Sequence, residues 1–213
     1  MAMITLRGIP ASPGVAIGPA WLYEKARLAA YEEQSRLTVE AERRRFDEAV
    51  EQARSQLDLL YEKTVREAGE AAAQIFDIHK MMMEDLDYLE SVEDNITSQL
   101  CTAEHAVACT GQEFAEMFAA MEDEVMQARS ADVIDIAQAM LDILQGVDNA
   151  TLQGTEPSIL VAEDLAPSET VRMDKSLLLG FITREGSSNS HTAILARSMN
   201  IPALIQCKEI QED

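Results

Sequence analysis

Cysteine is scarce in this sequence: three residues in 213, at Cys101, Cys109 and Cys207, with no C-x-x-C pair. That excludes a disulfide scaffold and a cysteine zinc site, and it fits a reduced, cytoplasmic setting. Aromatic residues reach only 5%. A core must then come from Leu, Ile, Val, Ala and the 11 Met, a mix that suits helix packing better than a β-sandwich. Positive charge is also short, with 17 Lys and Arg against 38 Asp and Glu and a formal net charge of −21. A field of that sign repels nucleic acid and anionic membrane. It either favours a cationic partner or simply keeps the surface solvated. No apolar run is long enough to cross a membrane, and Pro10, Pro13, Gly14 and Gly18 interrupt any secretory-signal core in residues 1–20. P-loop, G-x-G-x-x-G and G-x-S-x-G patterns are absent, and His79, His105 and His191 have no metal-ligand spacing. These absences predict no nucleic acid, no membrane insertion and no metal site in the chain.

What is present changes character twice. Gly8, Pro10, Pro13 and Gly14 punctuate the start, and Val15 to Tyr23 reads as a short buried strand. Between Thr38 and Gly146 there is no proline, and Gly69 and Gly111 are the interior glycines. Phe46, Val50, Ala53, Leu57, Leu60 and Thr64 form one apolar stripe at helical spacing. Ile75, Ile78, Met82, Leu86 and Leu89 continue it past a break near Gly69. Val107, Phe114, Met117, Phe118 and Met121 make another stripe. Ser130 is placed to cap a last helix ending at Gly146. About four helices in antiparallel hairpins are expected. After Pro157 the runs Ile159–Ala162, Leu177–Ile182 and Ala203–Ile205 read as buried strands, with a short helix from Ala193 to Met199. Strands at both chain ends around a helical block predict one α/β domain interrupted by an inserted helical domain. The stop at Asp213 reads as a cut through that α/β domain.

Of the histidines, His191 has the most telling setting. It follows Gly186-Ser187-Ser188-Asn189-Ser190 and opens a helix. Small polar residues there cap the helix and let backbone approach a ligand, and the macrodipole is positive at that end. A phosphoryl group carried on the imidazole would meet the helix N–H groups. The plainer reading is a capping or exposed histidine. Arg197, six residues on, either offsets phosphate charge or makes a surface ion pair. His79 by itself reads as a structural helix histidine, and Met81, Met82 and Met83 as core filling or as an adaptable contact surface.

The run from Gly186 through His191 to Ala203 is similar to the phosphohistidine signature of phosphoenolpyruvate-utilising enzymes. Gly8 to Gly18, Ile75 to Asp87, Ala131 to Ile136 and Ala162 to Thr170 resemble enzyme I of the phosphotransferase system, in that family's order along the whole chain. The resemblance implies a phosphohistidine, or swivelling, α/β domain formed by residues 1–23 and 147–213, incomplete at its end. A four-helix, helical-hairpin domain over 24–146 would dock the phosphocarrier HPr. It implies phosphoryl transfer from phosphoenolpyruvate through His191 to HPr, the first step of sugar phosphotransfer. Thr170 would contact the histidine, with Ser190, Asn189 and Arg197 around the phosphoryl group. His79, Met81, Met82, Asp85, Asp87 and Arg129 would lie on the carrier-binding surface. Where the family often has Gly-Gly-Arg-Thr, this chain has Ser187-Ser188-Asn189 in part, without the arginine. By the same resemblance, phosphoenolpyruvate, magnesium and dimerisation belong to a C-terminal barrel outside these residues. No cofactor is expected in the chain itself, which should not use phosphoenolpyruvate alone. An enzyme I-like module of a multidomain phosphotransfer protein, the swivelling domain of a dikinase-type enzyme and a non-catalytic helical adaptor are the competing readings.

Overall fold

The computed structural model describes residues 5–23, 31, 33–147, 156–174, 176–186 and 191–210. Two compact units emerge: one comprises residues 1–25, 62–73 and 150–213, the other residues 26–61 and 74–149. The division departs from the expected boundaries. The turn around Gly69 groups with the sheet-bearing unit rather than with the other helices.

The first unit is built on a five-stranded sheet. Its strands are β1 (Ile9–Ser12), β2 (Ala20–Tyr23), β3 (Ser158–Ala162), β4 (Leu178–Thr183) and β5 (Ala203–Ile205), in spatial order β1-β5-β4-β3-β2. β1 runs antiparallel to β5 and the other pairings are parallel. The expected strand over Val15–Tyr23 is therefore wrong in its first half. Val15 and Ile17 stand 88% exposed, and only Ala20–Tyr23 pairs, as an edge strand. Beside residues 62–73, the described part of the unit includes two short helices, α6 (Pro167–Arg172) and α7 (His191–Ser198). α7 packs on β1 and on α6. Its buried Ala193 and Ala196 join Leu160, Phe181, Ile201 and Ile205 in the core. α6 was not foreseen. Pro167 at its first position and the Glu169 carboxylate, which accepts the Ala166 N–H at 2.7 Å, start it.

The second unit is helical. The insertion contributes α1 (Val39–Ala68), α2 (Glu70–Met83), α3 (Leu86–Gln99), α4 (Ala103–Ala119) and α5 (Glu124–Leu144), five helices among the described residues rather than four. The stripe from Ile75 to Leu89 is broken at Asp85, which turns extended and caps α3, accepting from the N–H groups of Asp87 and Tyr88. Gly69, at φ +88°, breaks α1 from α2 as expected. α4 and α5 pack along each other, and α3 packs on α4. Phe46, Ala53, Phe76, Val92, Val107 and Met140 are buried there. Glu42 is buried as well: Arg45 donates to it at 2.7 Å and the Ala103 N–H at 3.1 Å, which ties α1 to the start of α4.

α5 begins at Asp123, whose carboxylate accepts from the N–H groups of Val125 and Met126, and not at Ser130, which is interior to the helix. A side-chain cap is worth about 1 kcal/mol. Asp123→Ala should therefore lower unfolding free energy by about that amount in urea titrations, while Ser130→Ala leaves it unchanged or slightly higher.

Candidate functional site

In the sheet unit, β4 delivers the chain to a loop that opens α7. Thr183 Oγ1 donates to the Glu185 carbonyl at 2.8 Å, and Gly186 takes φ +102°, a conformation that favours glycine. Asn189 and Ser190 lie outside the described residues. His191 is the first residue of α7, at the positive end of its dipole. Arg197 is at the other end. It donates from Nη1 to the Ala11 carbonyl of β1 at 3.0 Å. Six residues of helix separate it from His191 by about 9 Å along the axis. The bond to the Ala11 carbonyl ties the last turn of α7 to β1.

Thr170 sits on α6, 3% exposed, and its Oγ1 donates to the Ala166 carbonyl at 3.1 Å. Donation uses the hydroxyl's single proton and leaves oxygen lone pairs able to accept from an imidazole N–H. α6 has six residues and would be marginal alone. Tertiary bonds anchor it. Tyr23 Oη donates to Glu169 Oε1 at 2.7 Å, and Lys63 Nζ donates to the Val171 carbonyl at 2.6 Å.

In the helical unit, Met82, Asp85, Asp87 and Tyr88 at the α2–α3 corner face Phe114, Met117 and Phe118 of α4 and Val133 and Ile136 of α5. They enclose a mainly apolar groove of about 190 Å³. Tyr88 and Phe114 meet edge to face at 5.3 Å. Met81 stands 71% exposed beside the groove. Thus Met82, Asp85 and Asp87 converge on one feature, to which the structure adds Tyr88, Phe114, Val133 and Ile136. The stripe on α4 hinted at Phe114. Val133 and Ile136 belong to an apolar stripe at helical spacing on α5, which did not say which helix it would face.

His79 does not join that surface. It is 1% exposed, its Nε2 lies 3.2 Å from Asp132 Oδ1, and its Nδ1 lies 3.7 Å from Asp135 Oδ2. Arg129 Nη1 donates to Asp132 Oδ2 at 2.9 Å. The expected carrier-binding His79 is an interior residue, because two buried carboxylates on α5 draw the imidazole inward. Burial alone would raise the Asp132 pKa. The hydrogen bond and charge of His79, and then those of Arg129, outweigh it and hold Asp132 below the usual aspartate range. Asp132 and Asp135 are acids within an apolar stripe, a signal in the sequence whose meaning needed the partner helix.

Among the described residues, no three His, Cys, Asp or Glu side chains converge as metal ligands, and no helix is long and apolar enough to cross a membrane.

The chain matches the family described as "PEP-utilising enzyme, N-terminal" over residues 7–129 and "PEP-utilising enzyme, mobile domain" over residues 154–213. It is 37% identical to a phosphoenolpyruvate-protein phosphotransferase of Priestia megaterium over 98% of its length, and 38% identical to one of Listeria monocytogenes over 96%. It spans 36% of the length of each of these curated relatives. Among solved structures it resembles an enzyme I protein (nEIt) determined by NMR, with TM-score 0.71 and 35% identity over 96% of this chain and 84% of that one. It also resembles the N-terminal domain of "Enzyme 1 - Nitrogen", with TM-score 0.68 and 28% identity over 97% of this chain and 85% of that one.

The depressed Asp132 pKa has a pH consequence. The ionised carboxylate is favoured in the folded state. Its contribution is complete above the unfolded value of about 3.9 and is lost as pH falls through the lower folded value. Asp132→Asn should therefore cost most stability near neutrality. Denaturation of both proteins by urea should show the gap between them closing below about pH 4.

Proposed function

We propose, for a chain that belongs to the phosphoenolpyruvate-utilising enzyme family, that it is the phosphohistidine and carrier-docking part of a phosphoenolpyruvate-protein phosphotransferase. His191 would accept the phosphoryl group and exchange it with HPr. The observation that carries this reading is His191 as the first residue of α7, which packs on α6, the helix that includes Thr170. A ring nitrogen of His191 attacks phosphorus. In the whole protein the P–O bond to the enol oxygen breaks as the P–N bond forms; its electron pair leaves with the enolate of pyruvate, which takes a proton at the methylene carbon to become pyruvate. The positive helix end stabilises the phosphoryl oxygens, and the Thr170 oxygen accepts the N–H of the other ring nitrogen, orienting the imidazole. A phosphohistidine keeps a reactive P–N bond, so the group is handed on to the carrier.

The groove of the helical unit supports HPr as that carrier. Its Met and aromatic walls adapt to an apolar patch, while Asp85 and Asp87 complement a basic rim. Arg129 completes the docking surface through hydrogen bonds to carrier acceptors. The groove, with its Met-lined wall, favours this reading over the dikinase alternative. Phosphoenolpyruvate binding, magnesium and dimerisation are assigned to the remainder of the whole protein. The setting proposed is the cytoplasm, where sugar phosphotransfer starts.

Phosphorylated HPr should label the chain on His191, giving an acid-labile, base-stable adduct detectable by mass spectrometry. His191→Ala should abolish the label while carrier affinity hardly changes. Thr170→Val should slow transfer by loss of an orienting bond worth roughly 1 kcal/mol. Label on His79 or His105, or on no histidine, overturns the reading.

The docking half is tested separately. Met82→Asp should weaken HPr binding by about 1–2 kcal/mol in calorimetry, with labelling by excess phosphorylated HPr retained. Unchanged affinity would move the interface elsewhere.

A further inference from the structure

Carrier docking leaves His79 without a role in direct contact, since it is 1% exposed. Yet it occupies a definite place. It lies on α2 three residues before Met82, which lines the groove, and it faces Asp132 on α5, next to Val133, which lines the groove from the other side. Arg129 lies one turn before Val133 on the same face of α5, with its side chain 23% exposed.

The bonding is directional. An ionised carboxylate only accepts, so His79 Nε2 carries the proton shared with Asp132 Oδ1 at 3.2 Å, and Arg129 Nη1 donates to Oδ2 at 2.9 Å. Held at both oxygens across two helices, the Asp132 carboxylate cannot pivot. The ring also meets Phe76 edge to face, with centroids 6.1 Å apart, and Asp135 Oδ2 lies 3.7 Å from Nδ1. From this geometry we infer that His79 is a positioning residue for carrier docking: through the Asp132 carboxylate it holds the Arg129 guanidinium in place on the groove face of α5. An arginine ordered before association loses less rotamer freedom on binding. The inference rests on the docking reading above and adds to it a residue that never touches the carrier.

A double-mutant cycle on the full chain tests it, with HPr binding followed by calorimetry. Arg129→Ala should weaken binding about tenfold. His79→Leu should weaken it about fivefold, and Arg129→Ala added to His79→Leu should cost less than about twofold more. His79→Gln, which keeps a donor near the Nε2 position, should preserve the full Arg129 effect and so separates positioning from folding. A merely structural histidine would lower the melting temperature of His79→Leu but leave the Arg129→Ala factor at its wild-type size, and that result overturns the inference. A second readout needs no carrier. Rotation of the Arg129 guanidinium, followed by nitrogen-15 NMR of the free chain, should be slow in wild type and His79→Gln and fast in His79→Leu. Equal rotation in all three also overturns the inference. Failure of the wild-type chain to bind HPr would instead defeat the docking reading, and the NMR comparison would still decide whether His79 positions Arg129.

Discussion

The sheet unit depends on one pairing. β2 and β3 run side by side from Ala20 opposite Ile159 to Tyr23 opposite Ala162, although the whole helical insertion separates them in sequence. Closing so long a loop costs entropy that only the finished ladder and its core return. The consequences reach the candidate site. Tyr23, at the end of β2, carries its hydroxyl to Glu169, and Glu169 holds the Ala166 N–H. The first turn of α6 is thereby fixed, and Thr170 lies on that helix. At the other edge, β1 pairs with β5, and Arg197 of α7 bonds the Ala11 carbonyl in β1. Both helices that carry the proposed chemistry are thus fastened to strands from the beginning of the chain.

The helical unit solves a different problem. It carries dense acidic charge, so its interior must deal with carboxylates that cannot all face water. Among the described residues three are taken inside: Glu42 beside Arg45 and the Ala103 N–H, Asp132 between His79 and Arg129, and Asp135 on the other side of the His79 ring. Buried ion pairs of this kind add little net stability over an apolar core of the same volume, but removing one partner strands a charge. Their benefit is precision of position. On α5 that precision falls beside Val133 and Ile136, in the wall of the groove. Polar burial and apolar groove are two sides of the same helix.

Much of the architecture was legible from local pattern. The continuous apolar runs at Ile159–Ala162 and Leu177–Ile182 mark strands buried on both faces, and they appear as β3 and β4. Gly69 and Gly146 mark helix ends, at φ +88° and +67°. The capping chemistry around Gly186 to Ser190 marked a helix start at His191, and α7 begins there. Misreadings came where a local pattern fits two outcomes. A helical stripe does not say whether the helix turns within it, so Asp85 went unnoticed as a cap. An apolar run with glycine and proline resembles a strand even when, as at Val15 and Ile17, it faces water.

By itself, then, the sequence determined the alternation of strand and helix, the helical insertion and the histidine at the head of α7, because each is written in spacings of a few residues. Only the tertiary structure decided that His79 lies inside, that Arg197 serves the far end of α7, and that α2, α3, α4 and α5 close a groove between them. Each of those facts needs a partner distant in sequence. Periodicity reports which face of an element is apolar; it carries no information about which other element will cover that face, and it is the covering that turns a histidine inward or leaves a methionine at the surface.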